Sequence, residues 1–227
     1  MIGLPRVHHR LTDSTNERAK ALALGGAPHG TLVTADEQSA GRGRQGRAWT
    51  AAPGDALLMS LVLRELDELL PLRAAVAVCE AVPVEARIKW PNDVWVGGRK
   101  VSGILVEGRP QDGWAVLGIG INVTAEEFPE ELREIATSLA LAGAASSTER
   151  VLADLLVSFE RQLGASAADV LAAWREHDAL LGAEIRWEEG RGRGAGITDA
   201  GALRVDTESG VVELNAGEVH LQRSRPD

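Results

Sequence analysis

The feature of this sequence that most limits its fold is a polar, glycine-rich stretch at residues 37–49, between apolar segments at residues 31–35 and 57–63. Short apolar segments rich in leucine and valine are typical of buried strands. Because glycines and charged residues interrupt regular elements, the stretch between the two segments is predicted to be a loop. The chain therefore enters this loop from one strand and leaves it into another.

Helices are predicted on both sides of this pair of strands. A short strand at residues 7–11 is followed by STNE from Ser14, which has the spacing of a capping box. It predicts a helix that runs through Leu24 and stops at Gly25. An apolar run at residues 69–82 predicts a second, buried helix that follows the apolar strand.

More strands and two further helices complete the first part of the chain. The glycine pair at residues 97–98 predicts a tight turn between two strands. Between residues 130 and 181 apolar side chains recur at helical spacing, as at Leu152, Leu155 and Phe159, which predicts two helices. The strands of this part are predicted at residues 87–90, 94–96, 100–107 and 114–122.

A change in composition at Gly182 marks a second unit. Short strand candidates separated by glycine-bearing turns follow it, which predicts a small β-barrel. The fold class is therefore α+β, with one domain at residues 1–181 and a second at residues 182–227. The barrel strands are predicted at residues 184–187, 195–198, 202–206, 211–214 and 218–221.

Charge and hydropathy exclude several classes of protein. The 227-residue chain has a formal net charge of −9, which argues against broad attraction to phosphate backbones. Its longest apolar run contains Pro71, Arg73 and Glu80 and is shorter than the ~20 apolar residues of a membrane span. The first ten residues lack the order of a signal peptide, so we expect a cytoplasmic protein.

The single cysteine, Cys79, excludes a disulfide and a thiolate metal cage within one chain. It lies among alanines and valines of the predicted buried helix. We therefore interpret it as a small buried hydrophobe and not as a nucleophile.

The loop motif GRGRQGRAW, residues 41–49, carries the strongest chemical signal. Arg42, Arg44 and Arg47 alternate with glycines that allow close backbone approach to a ligand, and Trp49 ends the motif. Three guanidinium groups on a pliable loop can surround phosphate or carboxylate oxygens with charge-assisted hydrogen bonds. Taken alone, the motif fits a solvated turn or an RNA-binding segment equally well.

A second motif, KWPNDV at residues 89–94, places Lys89 and Asp93 on a strand pair with Lys100. Pro91 favours an extended or turned backbone before the carboxylate. A substrate carboxylate held against Lys100 is neutralised as it attacks the α-phosphorus of ATP, and Lys89 is positioned to hold phosphates. Taken singly, two exposed hairpin lysines are the commoner arrangement.

Two weaker signals involve uncharged polar side chains. Asn122 ends the apolar strand GIGINV, where it can bind a ligand by hydrogen bonds. Ser14, Thr15 and Asn16 present two hydroxyls and an amide at a helix start, an arrangement that suits a neutral polar heterocycle or an anion. Ordinary helix capping explains these three residues equally well.

Together, STNERAK from Ser14, EQSAGRGRQGRAW from Glu37, KWPNDVWVGGRKVSGILVE from Lys89 and GIGINV from Gly118 resemble the biotin protein ligase family in order and spacing. The segment from Gly201 is similar to the small SH3-like C-terminal domain of that family. The resemblance covers nearly the whole chain. It implies a mixed sheet flanked by helices, as in class II aminoacyl-tRNA synthetases, followed by an SH3-like β-barrel.

The resemblance also implies a two-step reaction. Biotin and MgATP form biotinyl-5′-adenylate and pyrophosphate, and a lysine of an acceptor protein then attacks the mixed anhydride and releases AMP. The expected acceptor is a biotin carboxyl carrier domain of a biotin-dependent carboxylase. The sequence leaves open a monomer or a homodimer, and it identifies no protein ligands for a metal.

Roles for individual residues follow from the matching motifs. Arg44 and Lys100 are expected to act in catalysis, and Asp93 to help the incoming lysine lose its proton or to assist Mg²⁺. Biotin is expected to contact Ser14, Thr15, Asn16, Gln38, Arg42, Gly43, Arg44 and Lys100. ATP or the adenylate is expected to contact Arg42, Arg44, Arg47, Trp49, Lys89 and Asn122.

Three alternatives bear on this assignment. Family members that repress transcription carry an N-terminal helix-turn-helix domain, whereas the ligase motifs begin here at Ser14, so we expect a short form that does not bind DNA. A lipoate or octanoate ligase of the same superfamily would need an apolar channel in place of the polar groups that bind the ureido ring. An RNA-binding adaptor without chemistry is disfavoured by the acidic net charge.

Overall fold

The computed structural model describes residues 2–215 and 217–221, and a mixed seven-stranded sheet forms its centre. The strands are β1 (Arg6–Thr12), β2 (Leu32–Gln38), β3 (Ala56–Leu63), β4 (Arg87–Lys89), β5 (Asp93–Val96), β6 (Arg99–Arg109) and β7 (Trp114–Asn122). Their order across the sheet is β1-β2-β3-β7-β6-β5-β4. Only β1 and β2 are parallel, and the other neighbours are antiparallel.

Four helices accompany the sheet: α1 (Thr15–Leu24), α2 (Leu70–Ala81), α3 (Thr148–Gly164) and α4 (Ala167–Glu176). Helix α2 is buried along nearly its whole length and packs between the sheet and helices α3 and α4. Leu155 and Phe159 of α3 and Trp174 of α4 are fully buried in the same core. The predicted α+β class and the helical faces are confirmed.

The C-terminal segment forms a second, antiparallel sheet of five strands: β8 (Glu184–Trp187), β9 (Gly190–Ile197), β10 (Leu203–Thr207), β11 (Gly210–Leu214) and β12 (His220–Leu221). Its order is β11-β10-β9-β8-β12, and no pairing joins β11 to β12 within the described residues. The predicted small β unit is confirmed, and within the described residues it is an open antiparallel sheet in place of a closed barrel.

Two local predictions also need correction. The side chain of Ser14 makes no capping hydrogen bond, so the predicted capping box does not form. The first backbone N–H of α1, at Thr15, instead donates to Gln38 Oε1 of β2 at 2.7 Å. Helical structure between residues 130 and 147 is limited to one short 3-10 turn, because α3 begins at Thr148.

The remaining expectations about buried groups and the membrane can be compared directly with the structure. Cys79 is 6% exposed, and burial raises the pKa of its thiol to about 12, so the thiol stays protonated at neutral pH. This confirms its interpretation as a buried hydrophobe. Among the described residues, no helix is both long enough and apolar enough to cross a bilayer.

Candidate active site

A cavity of about 530 Å³ opens at one face of the central sheet. Its walls come from β3, β6 and β7, from the start of α1, from the loop at residues 41–49 and from the C-terminal strand β12. It gathers all the site residues predicted from the sequence: Ser14, Thr15, Asn16, Gln38, Arg42, Gly43, Arg44, Arg47, Trp49, Lys89, Asp93, Lys100 and Asn122.

Uncharged polar side chains form one end of the cavity. Thr15 Oγ1 donates to Gln38 Oε1 at 3.1 Å, and the buried hydroxyl of Ser60 lies 2.8 Å from Thr15 Oγ1 and 2.6 Å from Asn16 Oδ1. Ser14, Thr15 and Asn16 are each less than 5% exposed. The hydrogen bonds fix the orientation of these groups before any ligand arrives, as precise recognition of a polar heterocycle requires.

Acidic side chains tie this polar end to the loop. Asn16 Nδ2 donates to Glu107 Oε2 at 2.9 Å, and Glu107 also lies 3.4 Å from the guanidinium of Arg42. Arg42 makes a further close ion pair with Glu17 of α1. The arginine therefore holds the loop against the helix that carries the polar groups.

The order of groups along the cavity follows strand β7. Asn16 lies directly against Gly118, and the Trp49 ring lies against Gly120. Since alternate residues of a strand share one face and lie about 6.6 Å apart, the two glycines mark successive levels. Asn122 lies one level further along the same face and donates to the carbonyl oxygen of Thr137 at 3.0 Å.

A lysine and a carboxylate meet at the level of Trp49. Lys100 Nζ lies 2.6 Å from Asp93 Oδ1 and 5.7 Å from the centroid of the Trp49 ring. The register between β5 and β6 shifts between Val94 and Trp95, beside this pair. Lys100 therefore occupies the middle of the cavity, between the polar end and Asn122.

Lys89 lies deeper than the sequence suggests. It is 8% exposed, and its ammonium lies 5.3 Å from the centroid of the Trp95 ring. Burial lowers the pKa of Lys89 from its ordinary value, and the nearby Asp93 carboxylate opposes this change. The alternative of two exposed hairpin lysines is thus wrong for Lys89.

The loop also contacts the C-terminal unit. Arg44 donates to Asn92 Oδ1 at 3.1 Å and to the carbonyl oxygen of Gly217 at 3.4 Å, and Arg47 donates to Glu218 Oε1 at 2.6 Å. Burial is the main cause that lowers the pKa of Arg44, and the charge of Arg47 adds to it. The loop therefore spans the cavity from α1 to the segment before β12.

Two indole N–H groups in the cavity wall lack partners. Trp49 Nε1 and Trp95 Nε1 are shielded from solvent and make no hydrogen bond within the described residues. Buried donors are nearly always satisfied in folded proteins, so an unpaired one needs an explanation. A ligand that carries acceptor atoms would satisfy both groups.

Sequence reasoning missed several parts of the cavity. Ser60 gave no signal because it lies inside an apolar strand, and Glu218 gave none because its partner Arg47 is remote in sequence. Trp95 gave no signal because it lies inside a predicted strand just after the second motif. Other missed lining side chains include Leu58, Met59, Asn92, Phe128, Leu132, Ile135, His220 and Leu221.

The close contact at Gly120 yields a first prediction. A Cβ atom there would lie 2.6 Å from the Trp49 ring, so Gly120→Ala is expected to push the indole into the cavity. Because the family resemblance implies that ATP or the adenylate contacts Trp49, we expect a rise of about tenfold in the KM for ATP. We expect only a small change in thermal stability, because the strand itself accepts alanine. Steady-state pyrophosphate release measures the KM.

Gly164→Ala is the matched control for this prediction. Gly164 ends α3, and a Cβ atom there has no neighbour within 4 Å. Both variants add one methyl group to a glycine, so a difference between them reports the position of Trp49. An unaltered KM for ATP in Gly120→Ala would contradict this placement of the ring.

Comparison with known proteins places the chain in a family. Residues 8–123 match the model described as the Biotin/lipoate A/B protein ligase family. The chain belongs to this family. Residues 186–221 match a second model, the Biotin protein ligase C terminal domain, so the family resemblance extends into the five-stranded sheet.

Individual relatives within the ligase family are similar over almost the whole chain. The Biotin--[acetyl-CoA-carboxylase] ligase of Mycobacterium tuberculosis is 36% identical over 93% of this chain and 87% of its own length. The Bifunctional ligase/repressor BirA of Bacillus subtilis is 34% identical over 97% of this chain and 75% of its own length. Both relatives are named as ligases, and the first is named as a biotin ligase.

A solved structure gives the same result for the fold. The biotin protein ligase from Aquifex aeolicus in complex with biotin and ATP superposes with a TM-score of 0.84 at 32% identity. The match covers 96% of this chain and 99% of that one. The predicted mixed sheet with flanking helices and a C-terminal unit is confirmed.

Proposed function

We propose that this protein is an ATP-dependent biotin protein ligase that makes biotinyl-5′-adenylate and transfers the biotinyl group to a lysine of an acceptor protein. One observation carries the proposal. A single cavity has fixed uncharged polar groups at one end, Lys100 at its middle level, and Lys89, Arg44 and Arg47 as further cations in its walls. This sequence of groups matches an acid with a polar head that must react with a polyphosphate.

The first step needs an anionic carboxylate to approach an anionic phosphate. The biotin carboxylate would replace Asp93 as the partner of Lys100, whose ammonium neutralises both reactants and the developing transition state. An oxygen of biotin then bonds to the α-phosphorus, and the bond to the β-phosphate breaks with release of pyrophosphate. Lys89 and Arg47 are proposed to hold the phosphates.

Mg²⁺ is proposed to enter with ATP as part of the substrate complex. Asp93 and Glu218 are the carboxylates among the described residues that line the cavity, and each already has a cationic partner. The described part of the chain contains no group of three or more metal-ligating side chains placed to hold an ion. We propose that the phosphate oxygens of the nucleotide would supply the main ligands.

In the second step the acceptor lysine amine attacks the acyl carbon of the anhydride. The bond from that carbon to the phosphate oxygen breaks, and AMP leaves. Asp93 is proposed to take the proton of the amine, since it lies beside Lys100 at the reacting end of biotin. Arg42, Gly43 and Arg44 are proposed to cover the adenylate until the acceptor arrives.

The polar end of the cavity favours biotin over lipoate. A ureido ring offers one carbonyl and two N–H groups, and Ser14, Thr15, Asn16 and Gln38 supply matching donors and acceptors. A dithiolane or alkyl chain would leave the remaining hydrogen-bonding capacity of these buried groups unused, at a cost of about 1–3 kcal/mol for each group left unsatisfied. A lipoate or octanoate ligase is accordingly the disfavoured alternative.

Further parts of the proposal concern organisation and partners. We assign residues 1–181 to a catalytic unit and residues 182–227 to a C-terminal unit. The structure describes all of the C-terminal unit except residues 216 and 222–227. Trp90 Nε1 donates to the carbonyl oxygen of Gly201 at 3.0 Å and joins the two. The acceptor is proposed to be a biotin carboxyl carrier domain, and the protein to act in the cytoplasm as a monomer or homodimer without binding DNA.

The direct test follows transfer by intact mass. Purified protein, biotin, MgATP and a biotin carboxyl carrier domain are expected to yield one biotinyl group on each acceptor molecule. Omission of ATP should prevent the gain in mass, and lipoate should not replace biotin. A folded enzyme that gives no gain with a competent acceptor would refute the assignment.

A further inference from the structure

Glu107 of β6 lies just behind the polar end of the cavity. Alternate residues of a strand share one face, so Glu107 follows Gly103 and Leu105, which both line the cavity. Leu105 faces Gly118 of β7, and Asn16 lies against Gly118. Glu107 is not among the described residues that line the cavity. Its carboxylate therefore lies one level beyond Asn16, outside the space that a ligand can fill.

The two carboxylate oxygens of Glu107 have different partners. Oε2 accepts from Asn16 Nδ2 at 2.9 Å, whereas Oε1 lies 3.3 Å from Lys20 Nζ and 3.4 Å from the guanidinium of Arg42. Both cations also pair with Glu17, so two carboxylates and two cations balance each other. We call Glu17, Lys20, Arg42 and Glu107 the charged cluster. Within the part of the chain that the structure describes, Glu107 is the member of this cluster that makes a hydrogen bond to Asn16.

The side-chain amide of Asn16 is buried and held from both ends. Its Oδ1 accepts from the Ser60 hydroxyl at 2.6 Å, and its Nδ2 donates to Glu107. A hydroxyl can donate or accept, so Ser60 would bond equally well to an amide turned by about 180°. An ionised carboxylate only accepts, so it requires Nδ2 to face it. Glu107 is therefore the partner that fixes which way this amide points.

The orientation of this amide decides what the polar end offers to a ligand. Asn16 lines the cavity, and after its two internal bonds it keeps one N–H on Nδ2 and one lone pair on Oδ1. A turned amide would exchange the donor and the acceptor. A ureido ring has a fixed pattern of one carbonyl and two N–H groups, so a turned amide would meet it with the wrong polarity.

We propose that Glu107 is a positioning residue for biotin recognition, whose charge holds the amide of Asn16 in the one orientation that matches the ureido ring. This inference rests on the proposed ligase function, because it takes biotin as the ligand of the polar end. Glu107 acts through Asn16 and does not touch the substrate. Lys20 and Arg42 offset its negative charge, so a carboxylate can lie beside a buried amide at low cost.

The test compares two conservative variants that remove the same charge from the charged cluster. Glu107→Gln keeps the size of the side chain, but its amide both donates and accepts, so it no longer fixes the orientation of Asn16. Glu17→Gln is the matched control, because Glu17 pairs with the same two cations and, among the described residues, makes no hydrogen bond to Asn16. Isothermal titration calorimetry with biotin alone measures the Kd without any chemical step.

We expect Glu107→Gln to raise the Kd for biotin about fivefold to tenfold, as mispairing of a buried polar group does. Glu17→Gln should change this Kd by less than about twofold, because it removes only partly exposed ion pairs. Arg42 makes its closer contact with Glu17 and not with Glu107. An effect transmitted through the loop arginine would therefore be larger in the control than in Glu107→Gln.

A double-mutant cycle with Asn16→Ala tests the route of the effect. If Glu107 acts through Asn16, Glu107→Gln should change the Kd for biotin by less than about twofold in the Asn16→Ala background. The melting temperatures of Glu107→Gln and Glu17→Gln should fall by similar, small amounts. A fall confined to Glu107→Gln, without coupling in the cycle, would indicate a merely structural role and overturn the proposal.

Three further results would also overturn it. Equal Kd values for biotin in the wild type and Glu107→Gln would show that the charge does not set the orientation of Asn16. An equal or larger loss in Glu17→Gln would assign the effect to the loop arginine. A loss that persists in the Asn16→Ala background would show a route that bypasses Asn16. A folded wild type that does not bind biotin would refute the proposed function itself, which is a separate outcome.

Discussion

Replacement of Lys100 by alanine is expected to leave a folded protein that has lost almost all adenylate formation. Lys100 lies between the polar end of the cavity and Asn122, where we propose that the biotin carboxylate meets the α-phosphate. Its ammonium is the charge proposed to neutralise the two anions, and removal of one preorganised electrostatic group lowers kcat by about 10²–10³. Pyrophosphate release with biotin and MgATP, without acceptor, measures this step alone.

The folded state should tolerate this change. The ion pair of Lys100 with Asp93 is partly exposed, with 31% of the lysine side chain accessible, and pairs of this kind contribute little to stability. Arg99→Ala is the matched control, because Arg99 is the preceding residue of β6, carries the same charge and does not line the cavity. We expect the control to keep its activity.

Preformed biotinyl-5′-adenylate tests the role more sharply. If Lys100 acts mainly in the attack on phosphorus, supplied adenylate bypasses the missing charge and restores much of the transfer to a carrier domain. Full adenylate formation in Lys100→Ala would contradict the role of this lysine in the first step. Failure with both ATP and preformed adenylate would place Lys100 in substrate binding instead.

The fold was predictable wherever a local pattern decides the element. Short apolar segments and the glycine pair at residues 97–98 predict strands that the structure contains. The helical spacing near Leu155 predicts α3. The choice between a barrel and an open sheet was not decidable in this way, because it depends on which strands pair and not on the presence of the strands. The capping box does not form, and the hydrogen bond from the Thr15 N–H to Gln38, far away in sequence, is a tertiary contact that the local pattern does not reveal.

The residues of the site show the same difference between local patterns and tertiary contacts. The two charged motifs and the helix start identify residues by type and spacing, and one cavity brings them together. Ser60, Trp95 and Glu218 have no distinctive local sequence, and they take part only because β3, β5 and the C-terminal segment converge there. Burial of Lys89 is also a tertiary effect that the sequence alone does not reveal.

Replacement of Arg44 by glycine is expected to yield an enzyme that still makes the adenylate but releases it. Arg44 joins the loop to Asn92 of the β4–β5 turn and to the carbonyl oxygen of Gly217, at the mouth of the cavity. Without it the loop keeps its contacts at Arg42 and Arg47 and loses these two. We expect the dissociation rate of the adenylate to rise by about tenfold to a hundredfold, as loss of two hydrogen bonds to a charged group implies.

The control for this variant is Gln45→Gly in the same loop. Gln45 has a φ of 56°, which glycine adopts without strain, and its side chain does not line the cavity. Both variants add one glycine to the loop, and only one removes the guanidinium. A difference between them separates the covering role of Arg44 from a general gain in loop flexibility.

Escape of the adenylate is measured by labelling of a bystander protein that has no carrier domain. Released biotinyl-5′-adenylate reacts with exposed lysines, so Arg44→Gly should biotinylate the bystander and Gln45→Gly should not. Equal labelling by both variants would attribute retention to loop stiffness. If neither variant labels the bystander while adenylate still forms, the adenylate is held by the cavity floor, and the loop arginine acts only in assembling the nucleotide site.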